Sequence, residues 1–170
     1  MEEKYSHAEE QGAAKSSVSP AKQGLSKTKP AGESFARFDM ARYNGGLSLG
    51  KDERLSRESV LNKLFSEGRS ISQNGFTLVY LVVPLPAIYP AQAAFSVPKR
   101  HFKKAVDRNR VKRLMREAYR KNKIPLYEKL SQKEQQVAMM FIYKGKDLPE
   151  HEVVEKNVID LVKKLLERLK

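Results

Sequence analysis

Residues 99–123 constrain the chain more than any other stretch. They hold twelve Lys or Arg against two acidic residues, a net +10, in a 170-residue protein whose formal charge is +13. Such a concentration calls for a polyanion. The stretch is also patterned. Val111, Leu114, Met115 and Ala118 recur at i, i+3, i+4 and i+7, which predicts a helix of about four turns from Asp107 to Lys121 with one apolar stripe. Arg108, Lys112, Arg116, Asn109, Arg120 and Arg113 fall on a contiguous arc beside that stripe, and Arg110 falls on its other flank. A fold must bury the stripe and leave the arc in water. A merely solvated basic face is the plain alternative, but such faces normally mix signs at i, i+4, and here only Glu117 relieves the charge. Arg also outnumbers Lys within the helix, and its planar fork suits phosphate oxygens.

The rest of the chain reads as one domain behind an extension. Residues 1–50 are rich in Ser, Gly, Ala, Gln and Lys, with seven basic residues against six acidic, and cannot bury enough to offset ordering; they are expected to be disordered. Phe35, Phe38 and Tyr43 are either stray aromatics or a docking motif. The folded domain is expected over 51–170. A first helix, capped by Ser56 or Asp52, runs to about Ser66 with Val60, Leu61, Leu64 and Phe65 on its apolar face and Gly68 as its stop. Phe76–Val83 is apolar on both alternating faces and predicts a central strand. Pro84, Pro86 and Pro90 end it, Ala93–Val97 makes a second strand, and Lys99–Val106 has room for a short third. Lys123-Ile124-Pro125 closes the basic helix and Lys129–Gln136 is a polar connection. Gln136–Tyr143 is another two-faced strand, and Pro149–Arg168 a last helix with Val154, Val158, Leu161, Val162, Leu165 and Leu169 in helical period. The order α-β-β-β-α-β-α implies an α+β two-layer sandwich with a mostly antiparallel sheet, in which Pro98–Gln136 joins two parallel strands. Chirality alone makes that crossover right-handed.

Composition excludes several classes. There is no Cys, hence no disulfide and no thiolate site. Met1-Glu2-Glu3-Lys4 lacks the apolar core of a secretory signal, and the longest apolar run, Val137 to Tyr143, falls short of the ~20 residues that span a bilayer. A cytoplasmic protein without a membrane partner is expected. A pI near 9.9 favours nucleic acid over an acidic protein as the partner. His7, His101 and His151 are far apart in sequence, and the 14 acidic residues after position 50 are scattered. Neither acid–base nor metal-assisted hydrolysis is indicated, so no catalytic residue and no metal ligand is assigned.

The run Phe95-Ser96-Val97-Pro98-Lys99-Arg100, followed by Lys104-Ala105-Val106-Asp107-Arg108-Asn109-Arg110-Val111-Lys112-Arg113-Leu114-Met115-Arg116-Glu117-Ala118-Tyr119-Arg120, resembles the signature of the protein subunit of bacterial ribonuclease P. The resemblance extends more weakly over 51–165. It implies the rarer left-handed crossover. It also implies an RNA-binding cofactor of a catalytic RNA, which removes the 5′ leader from precursor tRNA with magnesium ions held mainly by RNA. The expected partners are therefore ribonuclease P RNA and precursor tRNA, with no obligate protein partner. By the same resemblance Arg108, Asn109, Arg110, Lys112, Arg113, Arg116 and Arg120, with Lys99, Arg100 and Lys104 before them, contact the catalytic RNA. Asn109 is a helix-start cap, a ligand of a base edge or 2′-hydroxyl, or both at once. Leu61, Phe65 and Val79 line a leader cleft between first helix and sheet, where Leu61 and Val79 stand in place of the aromatics of some relatives. Tyr80 is one residue out of register with that cleft. A ribosome-associated RNA-binding protein with the same basic helix, and a stand-alone nuclease, remain as alternatives.

Overall fold

A computed structural model of the protein describes residues 48–169. Residues 1–47, which carry nearly all of the expected disordered extension together with Phe35, Phe38 and Tyr43, lie outside the described residues. The elements are α1 (Glu58–Glu67), β1 (Arg69–Gln73), β2 (Phe76–Val82), β3 (Ala91–Ser96), α2 (Ala105–Asn122), α3 (Ile124–Gln132), β4 (Val137–Tyr143) and α4 (His151–Arg168). The sheet order is β1-β2-β4-β3. β1 and β2, and β2 and β4, pair antiparallel; β3 and β4 pair parallel, so α2 and α3 form the crossover.

β2 and β4 occupy the two central positions, which is why they are apolar on both faces. Leu78, Tyr80, Met139 and Phe141 join the buried stripes of α2 and α4 in the larger core. Val79, Leu81, Ala138 and Met140 belong to a smaller cluster on the other face, with Val60 and Leu64 of α1. The expected stripe of α2 is present: Val111, Met115 and Ala118 are buried and Leu114 packs half-buried, while Tyr119 joins them fully buried. The whole apolar period of α4 is buried, from Val154 to Leu169.

Four expectations are corrected. The third strand is not in Lys99–Val106, which is loop followed by the first turn of α2; it is β1, ahead of the long strand. Arg69-Ser70-Ile71-Ser72-Gln73 carries a single buried apolar residue because it is an edge strand with one face in water. Asn74 and Gly75, with φ of 46° and 79°, make the two-residue turn that joins it to β2. The supposed polar connection before β4 is the helix α3, and Pro125 stands in its first turn, where a missing N–H costs nothing. α1 has Arg57 at its N-cap with no side-chain capping bond, so neither Ser56 nor Asp52 caps it. Gly68 ends that helix by turning extended (φ −69°, ψ 144°), and only glycine fits there, since a Cβ would lie 2.1 Å from the Leu64 carbonyl oxygen. Lastly, the domain begins before residue 51: Leu49 is buried in the larger core.

The segment ahead of α1 is held by a buried ion pair. Lys123 is fully buried between α2 and α3, and Glu53 is 2% exposed. Lys123 Nζ donates to Glu53 Oε1 and to the Ser48 carbonyl at 2.6 Å. Tyr127 Oη donates to Glu53 Oε1 at 2.7 Å, and the Gly50 N–H to Glu53 Oε2 at 2.6 Å. Burial, with Tyr119 and Glu53 nearby, pushes the Tyr127 phenol well above its ordinary range, so it stays a donor. Glu53 and Leu55 also exchange backbone hydrogen bonds with Ala93 of β3, at 2.9 and 3.1 Å. Removing one buried partner strands the other's charge. Lys123→Met is expected to cost about 3–5 kcal/mol. Adding Glu53→Gln, which removes the stranded charge and still accepts from Tyr127 but loses the bond from the Gly50 N–H, is expected to regain part of that. Denaturant unfolding of both variants checks this, and a double variant no more stable than Lys123→Met would contradict it.

Candidate nucleic-acid interface

α2 begins at Ala105, two residues earlier than its apolar period indicates, and Lys104 is its N-cap residue. Asn109 therefore lies inside the helix, exposed, and is not a start cap. Arg110, Arg113 and Arg116 are exposed, as are Lys99, Arg100 and Lys104 in the loop that leads into the helix; Lys112 is half-buried. The helix lies against the sheet near its β3 edge, and Arg116 sets its guanidinium 5.9 Å from the Phe95 ring centre. Phe95 in turn stacks on Phe141 at 5.5 Å. The aromatic core thus supports one cation of the arc.

The arginines are not equivalent. Arg120 makes a two-pronged pair with Glu117, Nε to Oε2 at 2.8 Å and Nη2 to Oε1 at 2.5 Å. That hydrogen bonding holds the Glu117 carboxyl below the usual carboxylate range and raises Arg120 further. Arg108 donates from Nη1 to the carbonyls of Phe102 and Lys103. Composition counts these two, and the buried Lys123, as equal members of the +10 stretch; the structure engages all three with protein oxygens. A sequence signal for Arg120 exists in the i, i+3 spacing of Glu117. None marks Lys123 off from the lysines beside it.

On the opposite face of the sheet, α1 leaves part of the apolar surface uncovered. Leu61 and Val79 pack half-buried at the border of the smaller cluster, next to Leu81, Ala94 and Ile142. The backbone of α1 comes close to β2 there, since a Cβ on Gly68 would stand 3.0 Å from Val79 Cγ1. Phe65, one turn beyond Leu61, is 60% exposed. It is not core. Tyr80 points into the larger core, away from this cleft, as its register requires. Leu61 and Val79 thus border the smaller cluster, and Phe65, one turn along α1 from Leu61, presents an exposed ring. Among the described residues no group of three or more His, Asp or Glu side chains could hold a metal ion, and no helix is long and apolar enough to cross a membrane.

A small α+β domain carrying one basic helix on a mixed sheet is the class that fold and surface define. The family model described as Ribonuclease P matches residues 49–166, and the chain belongs to that family. It is 35% identical to the ribonuclease P protein component of Porphyromonas gingivalis over 108 residues, covering 64% of this chain and 79% of that one. It is 34% identical to the corresponding protein of Chlorobaculum tepidum over 140 residues, covering 73% and 90%. In fold it is similar to a ribonuclease P protein mutant from Staphylococcus aureus, with a TM-score of 0.54 at 17% identity over 68% of this chain and 89% of that one.

The exposure of Phe65 gives a stability prediction. Phe65→Ala is expected to change stability by no more than ~0.5 kcal/mol, as surface substitutions do. Leu64→Ala, next to it and fully buried, is expected to cost ~2–5 kcal/mol. Thermal melting of the two variants separates them; a comparable drop in both would place Phe65 in the core.

Proposed function

We propose that the chain works as the RNA-binding protein subunit of ribonuclease P, the ribonucleoprotein that cuts the 5′ leader from precursor tRNA and leaves a 5′-phosphate on the mature end. The observation that carries this is the family match itself, which spans both the basic helix and the half-covered face beside α1. Catalysis belongs to the RNA subunit. Among the described residues no group of three or more His, Asp or Glu side chains could hold a metal ion, and the magnesium of the holoenzyme is proposed to be held mainly by the RNA. The protein's work is binding, and the cytoplasm is where it is expected to act.

Two surfaces divide that work. α2 and its lead-in loop take the catalytic RNA: Arg110, Lys112, Arg113 and Arg116, with Lys99, Arg100 and Lys104, neutralise phosphates. Asn109 reaches a base edge or 2′-hydroxyl. Arg108 and Arg120 contribute through groups already engaged with protein oxygens. The cleft of Leu61, Phe65 and Val79 takes the single-stranded leader of precursor tRNA. Its aliphatic floor favours sugar and base edges, and stacking falls to Phe65 alone.

Reconstitution tests the whole reading. Precursor tRNA is offered to the protein alone, to a bacterial ribonuclease P RNA alone at low magnesium, and to both. Cleavage by the mixture only is expected. Activity in the protein alone would make it a nuclease, and no effect of the protein would leave an RNA-binding protein of another kind. In the mixture Phe65→Ala should weaken precursor tRNA binding by roughly 1–3 kcal/mol, the range for one stacked base, and leave mature tRNA much less affected. Equal losses for both would remove the leader from this cleft.

The basic helix predicts a salt dependence. Each phosphate neutralised releases counterions, so log K for the RNA falls linearly with log salt concentration. Arg113→Ala and Arg116→Ala should each make the slope shallower by up to about one unit, with the melting temperature unchanged in the first and slightly lowered in the second, which loses its contact with Phe95. A wild-type slope and affinity in both would make the arc a solvated face.

A further inference from the structure

The loop between β3 and α2 shows an arrangement that neither charge counting nor family membership assigns. It is pinned at two points, by the buried side chains of Val97 and Phe102. The Phe102 ring stacks by that of Tyr143, with centres 6.1 Å apart. The His101 N–H closes a turn onto the Pro98 carbonyl at 3.2 Å. Between and after these anchors Lys99, Arg100, Lys103 and Lys104 are exposed.

Three consecutive carbonyls of this loop converge on one residue. Arg108 Nη1 donates to the Phe102 oxygen at 2.8 Å and the Lys103 oxygen at 2.7 Å. The Arg108 backbone N–H donates to the Lys104 oxygen at 3.4 Å, the first hydrogen bond of α2. Lys104 makes no side-chain capping bond; the Arg108 guanidinium, a donor only, instead ties down from one turn inside the helix the two carbonyls that precede its start. Fixing φ and ψ of Phe102 and Lys103 fixes where the next two lysine side chains leave the backbone.

We propose that Arg108 is a positioning residue: its guanidinium staples the β3–α2 loop, so that Lys103 and Lys104 meet the RNA already placed. A pre-ordered loop loses less entropy on binding than one that must be ordered by its ligand. Arg108 Nη1 faces inward on the two carbonyls, and the remaining N–H groups of the fork are the ones left for a phosphate. Lys103 thereby becomes a binding residue alongside Lys104. The inference rests on the reading of α2 and its lead-in loop as the surface for the catalytic RNA.

A double-mutant cycle on the full chain tests it, with a ribonuclease P RNA transcript as ligand and affinity read against salt. Lys103→Ala/Lys104→Ala should weaken binding about tenfold in the native background and less than about twofold once Arg108 is Ala, because the loop no longer holds them in place. Arg108→Ala should make the salt slope shallower by more than the roughly one unit its own charge explains, and Arg113→Ala by no more than that unit. A second readout needs no RNA: trypsin should cut after Lys103 or Lys104 faster in Arg108→Ala than in Arg113→Ala or the native protein, at equal melting temperature. Additive losses together with unchanged trypsin rates overturn the staple and leave the RNA surface standing. Unchanged affinity in the lysine pair, Arg108→Ala and Arg113→Ala alike overturns the RNA surface itself, and the staple's role with it.

Discussion

The buried pair of Lys123 and Glu53 ties the junction of α2 and α3 to the segment that leads into α1. Lys123 closes α2 and opens α3, and Glu53 lies on the segment that pairs with β3 and then leads into α1. Bringing two opposite charges out of water costs several kcal/mol each, and the attraction between them offsets this only when the remaining oxygens and protons also find partners. Here the carboxylate receives the Tyr127 hydroxyl and the Gly50 N–H, and the ammonium reaches the Ser48 carbonyl besides. The cost of breaking the arrangement is larger than its net gain. It pins the lead-in to α1 against the end of the basic helix.

That pin was not legible in the sequence. Lys123 stands between Asn122 and Ile124 at the end of a run of cations, and Glu53 between Asp52 and Arg54. Local composition paints both as surface. Elements whose burial is set by their own pattern were legible: β2 and β4, apolar on both faces because they are central, and α2 and α4, with one stripe each. β1 and α3 were not. An edge strand with serines on one face has too little apolar period to stand out, although Asn74-Gly75 marked its turn. Pro125 looked like a stop and is the start of a helix, since the same missing N–H suits both.

The basic surface was legible as an arc and illegible as a set of distinct side chains. Helical spacing places Arg108, Arg116 and Arg120 in one band, but their surroundings differ in kind. Arg116 lies over an aromatic ring, Arg120 is paired with a carboxylate, and Arg108 holds two carbonyls. Each loses some freedom before any RNA arrives, while Arg110 and Arg113 project from exposed positions. Phosphate attraction needs only the charge; geometric fit needs cations whose positions are already set. Partners three to six residues away, or on β3, set these different surroundings.

The placement of the two surfaces on opposite faces of one sheet has a mechanical consequence. Alternate residues of β2 go to opposite sides: Leu78 and Tyr80 to the core beneath the basic helix, Val79 and Leu81 to the cluster beside α1. β4 does the same with Met139 and Phe141 against Ala138 and Met140. A slip of one residue in either strand would exchange the two sets, so both surfaces depend on the same register. Close packing makes the sheet a stiff spacer, and helix and cleft are held apart by its thickness and the side chains on either face. What the shared sheet contributes is a fixed distance and orientation between the surface proposed for the catalytic RNA and the surface proposed for the strand to be removed.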